Sequence, residues 1–181
     1  MAAEEVFTIV VVVAAGLSIG VGVIFPALGQ ARAVSRAIEA IARQPDEAPT
    51  ITRNLFVGLA MIESQALYVL IVVLILLFAN PLTGALNQAV AQGGLAVWFL
   101  AGSAAAAALA VTIGTMFSAL SQGRVTGTAL ESIAEQPAVK NQVSTTLFVS
   151  LAFLESLALY ALIVALILLF ANPLLKLVIS P

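Results

Sequence analysis

Two seven-residue stretches carry the groups that can do chemistry: Ile62-Glu63-Ser64-Gln65-Ala66-Leu67-Tyr68 and Leu154-Glu155-Ser156-Leu157-Ala158-Leu159-Tyr160. Each sets a carboxylate inside a long apolar run, with a serine directly after it and a tyrosine five residues on. A carboxylate at the middle of a membrane helix costs about 2.5 to 3.5 kcal/mol on insertion scales, so it is rare unless it faces a partner or an ion path. Two of them in the same local setting call for a function. One helical residue advances about 100°, so Glu63, Ser64 and Tyr68 cannot converge on a point within one helix. They can converge between neighbouring hairpins, one supplying the glutamate and the next the serine and tyrosine.

Gln30 and Gln122 complete the set. Gln30 lies 15 residues before Pro45 and Glu63 lies 18 after it, so a hairpin folded at the proline brings the two to similar depth. Carboxylate, amide oxygen, hydroxyl and backbone carbonyl are hard oxygen ligands, suited to an alkali cation or a proton and not to a soft metal. Burial disfavours the charged carboxylate, whereas donors from Gln, Ser and Tyr favour it and with it a cation-loaded form.

The elements that must position these groups are membrane helices. Hydrophobic residues make up 62% of the 181-residue chain and charged residues 9%, with a mean hydropathy of +1.14, which excludes an ordinary soluble domain. Only Glu63 and Glu155 of the charged residues fall deep within apolar runs, and the net charge of −2 gives no reason to expect nucleic acid. There is no cysteine and no histidine, so disulfides, thiolate chemistry and the usual zinc sites are ruled out. Four apolar stretches, about 6–31, 50–79, 93–123 and 142–171, are each long enough to cross a hydrocarbon core of about 30 Å. The first follows Glu4 and Glu5 rather than a basic segment and reads as a retained span.

The spans pair into two hairpins at Arg43-Gln44-Pro45 and Glu135-Gln136-Pro137, the proline ending each preceding helix. Arg32, Arg36, Arg43 and Arg53 flank the first turn and Arg124 and Lys140 the second. The excess of basic residues puts both turns in the cytoplasm and both termini outside, with Lys176 the one dissenting charge. A constant offset of 92 residues carries Gln30 onto Gln122, Gln44 onto Gln136, Glu63 onto Glu155, Tyr68 onto Tyr160 and Asn80-Pro81 onto Asn172-Pro173. The chain therefore reads as a tandem duplication, with one hairpin in residues 1–88 and the other in residues 89–181. The first and third spans are rich in Gly, Ala and Ser, which let helix backbones approach. The second and fourth are rich in Leu, Ile, Val and Phe, so an inner layer of small residues and a bulkier lipid-facing layer are expected.

The small-residue first span, the Arg43-Gln44-Pro45 turn, Glu63 and the closing Leu76-Leu77-Phe78-Ala79-Asn80-Pro81, repeated as Leu168 to Pro173, give the family. The sequence resembles the c subunit, or proteolipid, of rotary F-type ATP synthases, fused in tandem as in the larger rotor subunits of V-type enzymes. The resemblance implies an all-α membrane protein of four transmembrane helices whose copies form a homo-oligomeric ring among membrane lipids. Each glutamate would carry one ion, Na+ or H+, past a stationary a subunit whose arginine displaces it. The polar turns, Arg43, Gln44 and Pro45 with Gln136 and Pro137, would contact the central stalk.

The family's sodium-binding pattern falls on Gln30, Glu63, Ser64 and Tyr68, and on Gln122, Glu155, Ser156 and Tyr160, with the backbone carbonyls of Met61 and Phe153 as further ligands by the same analogy. Sodium forms often carry a threonine two residues past the glutamate to hold a water. Here Gln65 and Leu157 stand there, so the second site is expected to be the drier. Glu135 replaces the turn arginine, and Gly16, Gly20 and Gly29 become Ala108, Thr112 and Ser121, which should thicken the inner layer. No organic cofactor is implied; no Gly-rich phosphate loop is present, so no nucleotide site is expected in this chain, and the resemblance implies a non-catalytic, ion-translocating part of an ATP synthase or ATPase. A secondary transporter built from repeats or a structural helix bundle is the alternative. Repeat transporters usually invert their halves and break helices at the site, whereas these halves run parallel.

Overall fold

A computed structural model describes residues 2–179. The chain is helical throughout, in the order α1 (Ala3–Gly22), α2 (Ile24–Arg43), α3 (Ala48–Phe78), α4 (Leu86–Gln92), α5 (Gly94–Glu135), α6 (Lys140–Phe170) and α7 (Leu175–Val178). Short 3-10 turns at Pro45–Glu47, Pro81–Ala85 and Pro137–Val139 connect them. Four helical stretches are long and apolar enough to span a membrane: Ala3–Arg43, Pro45–Gln92, Gly94–Glu135 and Pro137–Val178. The protein is an all-α membrane protein of two hairpins.

The helices outrun the apolar stretches of the sequence. At 1.5 Å per residue, the 42 residues of α5 reach about 63 Å, twice a hydrocarbon core. The polar segments next to the turns are therefore mostly helix. One stripe of α2, made of Pro26, Gly29, Ala33, Ala37 and Ala40, is buried, while Arg32 and Arg36 lie on its exposed side. The first span is not one continuous helix, because Val23 interrupts it between α1 and α2. Pro26 explains the interruption, since it has no N–H to give to the carbonyl of Gly22 four residues back. Ser118 occupies the matching place in α5, which runs on unbroken.

The repeat is visible in backbone conformation. Gln44 has φ −137° and ψ 78°, and Gln136 has φ −135° and ψ 76°. Their amides donate to Ala40 and Ser132 respectively, both at 2.9 Å. Asn80 and Asn172 likewise stop their helices alike, each side-chain oxygen accepting from the amide two residues on at 3.0 Å. Between the repeats, Gly93 adopts a φ of 109°, a left-handed value suited to glycine, and closes α4.

The chain divides into two compact units. One comprises residues 2–22, Tyr68–Gly114 and 160–179, around a core that includes Phe7, Val11, Val72, Leu76, Leu100, Ala104, Val111 and Leu169. The other comprises Val23–Leu67 and Thr115–Leu159 and thus holds both turns and both glutamates. Here α2 and α5 pack backbone to backbone. A Cβ built on Gly29 would meet the carbonyl oxygen of Ala119 at 2.6 Å, and one built on Gly123 would meet the Cα of Gly29 at 2.5 Å. This is the small-residue contact expected of the inner helices. Gly16 and Gly20, by contrast, have open space where a Cβ would stand. Phe56, Phe148, Val149 and Phe153 are exposed on α3 and α6, as are Leu109, Ile113 and Phe117 on α5.

Near the turns, Ala37, Ala40 and Ile51 cluster with Leu130, Ile133 and Ala134. Polar bonds tie the hairpins alongside. Asn54, fully buried, donates to Ser144 at 2.8 Å, Lys140 Nζ lies 2.7 Å from Glu47, and Arg36 lies 2.8 Å from Glu131.

Candidate functional site

Glu155 sits on α6, 9% exposed, inside a cage of side chains from three helices. Gln122 of α5, its hairpin partner, donates Nε2 to Glu155 Oε2 at 3.0 Å. The other two groups come from α3 of the first hairpin: Gln65 Nε2 reaches Oε2 at 2.7 Å, and Ser64 Oγ reaches Oε1 at 2.8 Å. Ser64 Oγ also lies 2.6 Å from the carbonyl oxygen of Met61. Its single proton serves one of these two acceptors at a time. Nearby, Ser118 fastens α5 to α6 by donating to the carbonyl of Leu154 at 2.7 Å.

Two amide oxygens beside these bonds are left without a donor. The Oε1 atoms of both Gln65 and Gln122 are buried without a donor, although each side chain is 0% exposed. An amide turned over by half a rotation offers its oxygen instead of its nitrogen, so either glutamine can stabilise a bare carboxylate through N–H or a cation beside it through C=O. A small hard cation fits such a donor set.

Glu63 occupies the equivalent place on α3 but lies at the open edge of the chain, exposed, and accepts from Gln30 Nε2 at 2.7 Å. On α6, Ser156 and Phe153 are likewise uncovered in part. Ser156 Oγ donates to the carbonyl of Phe153 at 2.8 Å, repeating the Ser64–Met61 arrangement, with Phe153 71% exposed beside it. Each chain thus holds one polar cluster around Glu155 and, apart from it, a Gln30–Glu63 pair and a Ser156–Phe153 pair.

The structure brings Gln122, Glu155, Ser64 and the Met61 carbonyl together, and separately Gln30 with Glu63 and Ser156 with Phe153. Tyr68 is half-buried and packs against the core that includes Val72 and Leu76, and Tyr160 is 61% exposed. The turn residues Arg43, Pro45 and Gln136 are exposed, while Gln44 and Pro137 are half-buried. One expectation is corrected. Gln65 serves Glu155 and not Glu63, because two residues along a helix is a rotation of about 200°, which points the amide away from its own glutamate and into the second copy's site. Within the chain Gln65 therefore adds its amide to Glu155, where the sequence expectation set it beside Glu63. The Asn54–Ser144 and Glu47–Lys140 pairs carry no sequence signal, since each joins residues some ninety apart with no shared motif.

Comparison with known proteins agrees with this architecture. The family of ATP synthase C subunits matches twice, over residues 13–76 and 105–168, the second match displaced by 92 residues at both ends. The ATP synthase c subunit 2 of Cereibacter sphaeroides is 55% identical over 80 residues, which cover 44% of this chain and 96% of that protein. The ATP synthase c subunit of Thermosynechococcus vestitus is 51% identical over 71 residues, 39% of this chain and 87% of that protein. The chloroplastic ATP synthase c subunit of Antithamnion sp. is 44% identical over 81 residues, 45% of this chain and 99% of that protein. Each of these relatives is about half as long as this chain. Two matched repeats, offset by the interval that relates the two glutamates, show that the chain belongs to the ATP synthase C subunit family.

Proposed function

We propose that the chain is the rotor-ring subunit of an ion-driven ATP synthase or ATPase and that Glu63 and Glu155 each carry one ion, Na+ in the first reading. The observation that carries this is the cage around Glu155, where two hairpins contribute three side-chain donors to one buried carboxylate, with the amide oxygens of Gln65 and Gln122 left without a donor. Glu63 with Gln30 on one edge, and Ser156 with the Phe153 carbonyl on the other, support closure of the same cage between adjacent chains. Copies in a closed ring would repeat it at every boundary.

The coupling follows from the membrane as solvent. A carboxylate paired with a cation is neutral overall and can face hydrocarbon, whereas the bare anion cannot do so without a large penalty. The unloaded site is thus stable only opposite a positive partner, for which an arginine of the a subunit is the family's candidate. Exchange of the ion at that partner, followed by rotation of the reloaded site into lipid, makes ion flow and turning one process. The hairpin divisions 1–88 and 89–181 are the repeating units of this rotor. The arginines beside the turns support a cytoplasmic position for them, with the termini outside and the central stalk docking on residues 43–45 and 136–137.

A carbodiimide, which modifies buried protonated carboxyls, tests the reading. Labelling of Glu63 and Glu155 in the assembled protein should be slowed by added sodium at constant pH, and Glu63→Gln or Glu155→Gln should abolish ion-coupled ATPase activity while assembly persists. Sodium without effect at either acid removes the sodium reading and leaves a proton as the cargo. Variants with normal coupling remove the carriers.

A further inference from the structure

The two glutamates have unlike surroundings, although the repeat makes them formally equivalent. Gln65 is fully buried and holds Glu155 at 2.7 Å. The residue in the same place of the second repeat is Leu157, which is 57% exposed on the open edge beside Ser156. A second chain seated on that edge brings Glu63 a serine and a carbonyl, but hydrocarbon in place of the amide. Leucine offers neither donor nor acceptor, so the site of Glu63 is one polar group poorer.

Resting on the sodium-carrying reading above, we infer that one chain presents two classes of sodium site, a tight one built within the chain at Glu155 and a weaker one built between chains at Glu63. Gln65 makes the difference. Its Oε1 accepts no hydrogen bond, nor does that of Gln122, so turning the amide over breaks no bond to that oxygen and offers a cation at Glu155 a further oxygen ligand. The Glu63 cage has only Gln30 to play this part. A ring therefore carries the two classes in alternation and in equal number.

The test is carbodiimide labelling of the purified ring at one pH across a sodium series, with the peptides that hold Glu63 and Glu155 quantified separately by mass. Glu155 should be half-protected at a sodium concentration about tenfold lower than Glu63, equivalent to about 1.4 kcal/mol. Leu157→Gln, on the face that is open in the single chain, should bring the Glu63 curve towards that of Glu155. Gln65→Leu should move the Glu155 curve the other way. Coincident curves in the unaltered ring, or curves that Leu157→Gln leaves apart, overturn the two classes while sodium binding stands. Sodium that protects neither acid overturns the ion reading and this inference with it.

Discussion

The contact between Gly29 and Gly123 offers a stringent test of how the hairpins are held. In Gly123→Ala the new methyl meets backbone: the Cα of Gly29 at 2.5 Å, with its carbonyl carbon at 2.7 Å. Neither atom can rotate away, so relief to an ordinary contact requires α2 and α5 to separate by about 1 Å, and overpacking of this kind costs about 1–3 kcal/mol. Alanine recovers about 0.5–1 kcal/mol of helix preference over glycine, leaving a net loss of up to about 2.5 kcal/mol. The separation acts on bonds between hairpins and spares those within them. Ser64–Glu155 and Gln65–Glu155, at 2.8 and 2.7 Å, stretch beyond useful range, while Gln30–Glu63 within the first hairpin keeps its 2.7 Å. The assay is thermal unfolding in detergent beside sodium protection of the two acids, with Gly94→Ala as control because a Cβ there meets nothing within 4 Å. A Gly123→Ala protein as stable as the control, with Glu155 protection unchanged, would refute the argument.

Two further outcomes follow from the polar bonds between hairpins. Ser144→Ala removes the partner of a fully buried amide, Asn54, and should cost about 1–3 kcal/mol in thermal or denaturant unfolding. Adding Asn54→Leu should restore most of it, because no buried polar group is then left unmatched. At Lys140 and Glu47, 2.7 Å apart, either charge reversal alone should lower the unfolding midpoint, and the exchanged pair Glu47→Lys with Lys140→Glu should return it towards the starting value. A restored charge pair that gives no recovery would show that the bridge contributes nothing.

Much of the architecture is legible in the chain because its signals are local. The interval between repeats, the proline turns, the Asn-Pro helix stops and the small residues of the inner helices are properties of short stretches, and each recurs at the same spacing. The helix ends are less legible. Apolar length marks where lipid ends, whereas α2 and α5 continue as amphipathic helices with Ala33, Ala37 and Ile133 buried beyond that limit. The break at Val23 has its signal in Pro26, which hydropathy alone passes over. Residue type is enough to find the carboxylate, glutamine and serine, but it attaches Gln65 to the wrong acid. Its angle around α3 assigns it to the neighbouring hairpin, and only the packing of α3 against α6 shows which group waits there. Asn54–Ser144 and Glu47–Lys140 lie outside sequence reasoning, since neither pair has a periodicity that links its members.

The difference between Gln65 and Leu157 has a consequence for gearing. In a ring of such chains, ion carriers arrive in covalently joined pairs, so the number of teeth on the wheel is even whatever the number of chains. With the two classes of site inferred above, successive teeth would differ and the torque profile would repeat after two steps instead of one. A motor that turns through alternating deep and shallow detents would pause longer at every second position, a rhythm that identical carriers do not produce by themselves.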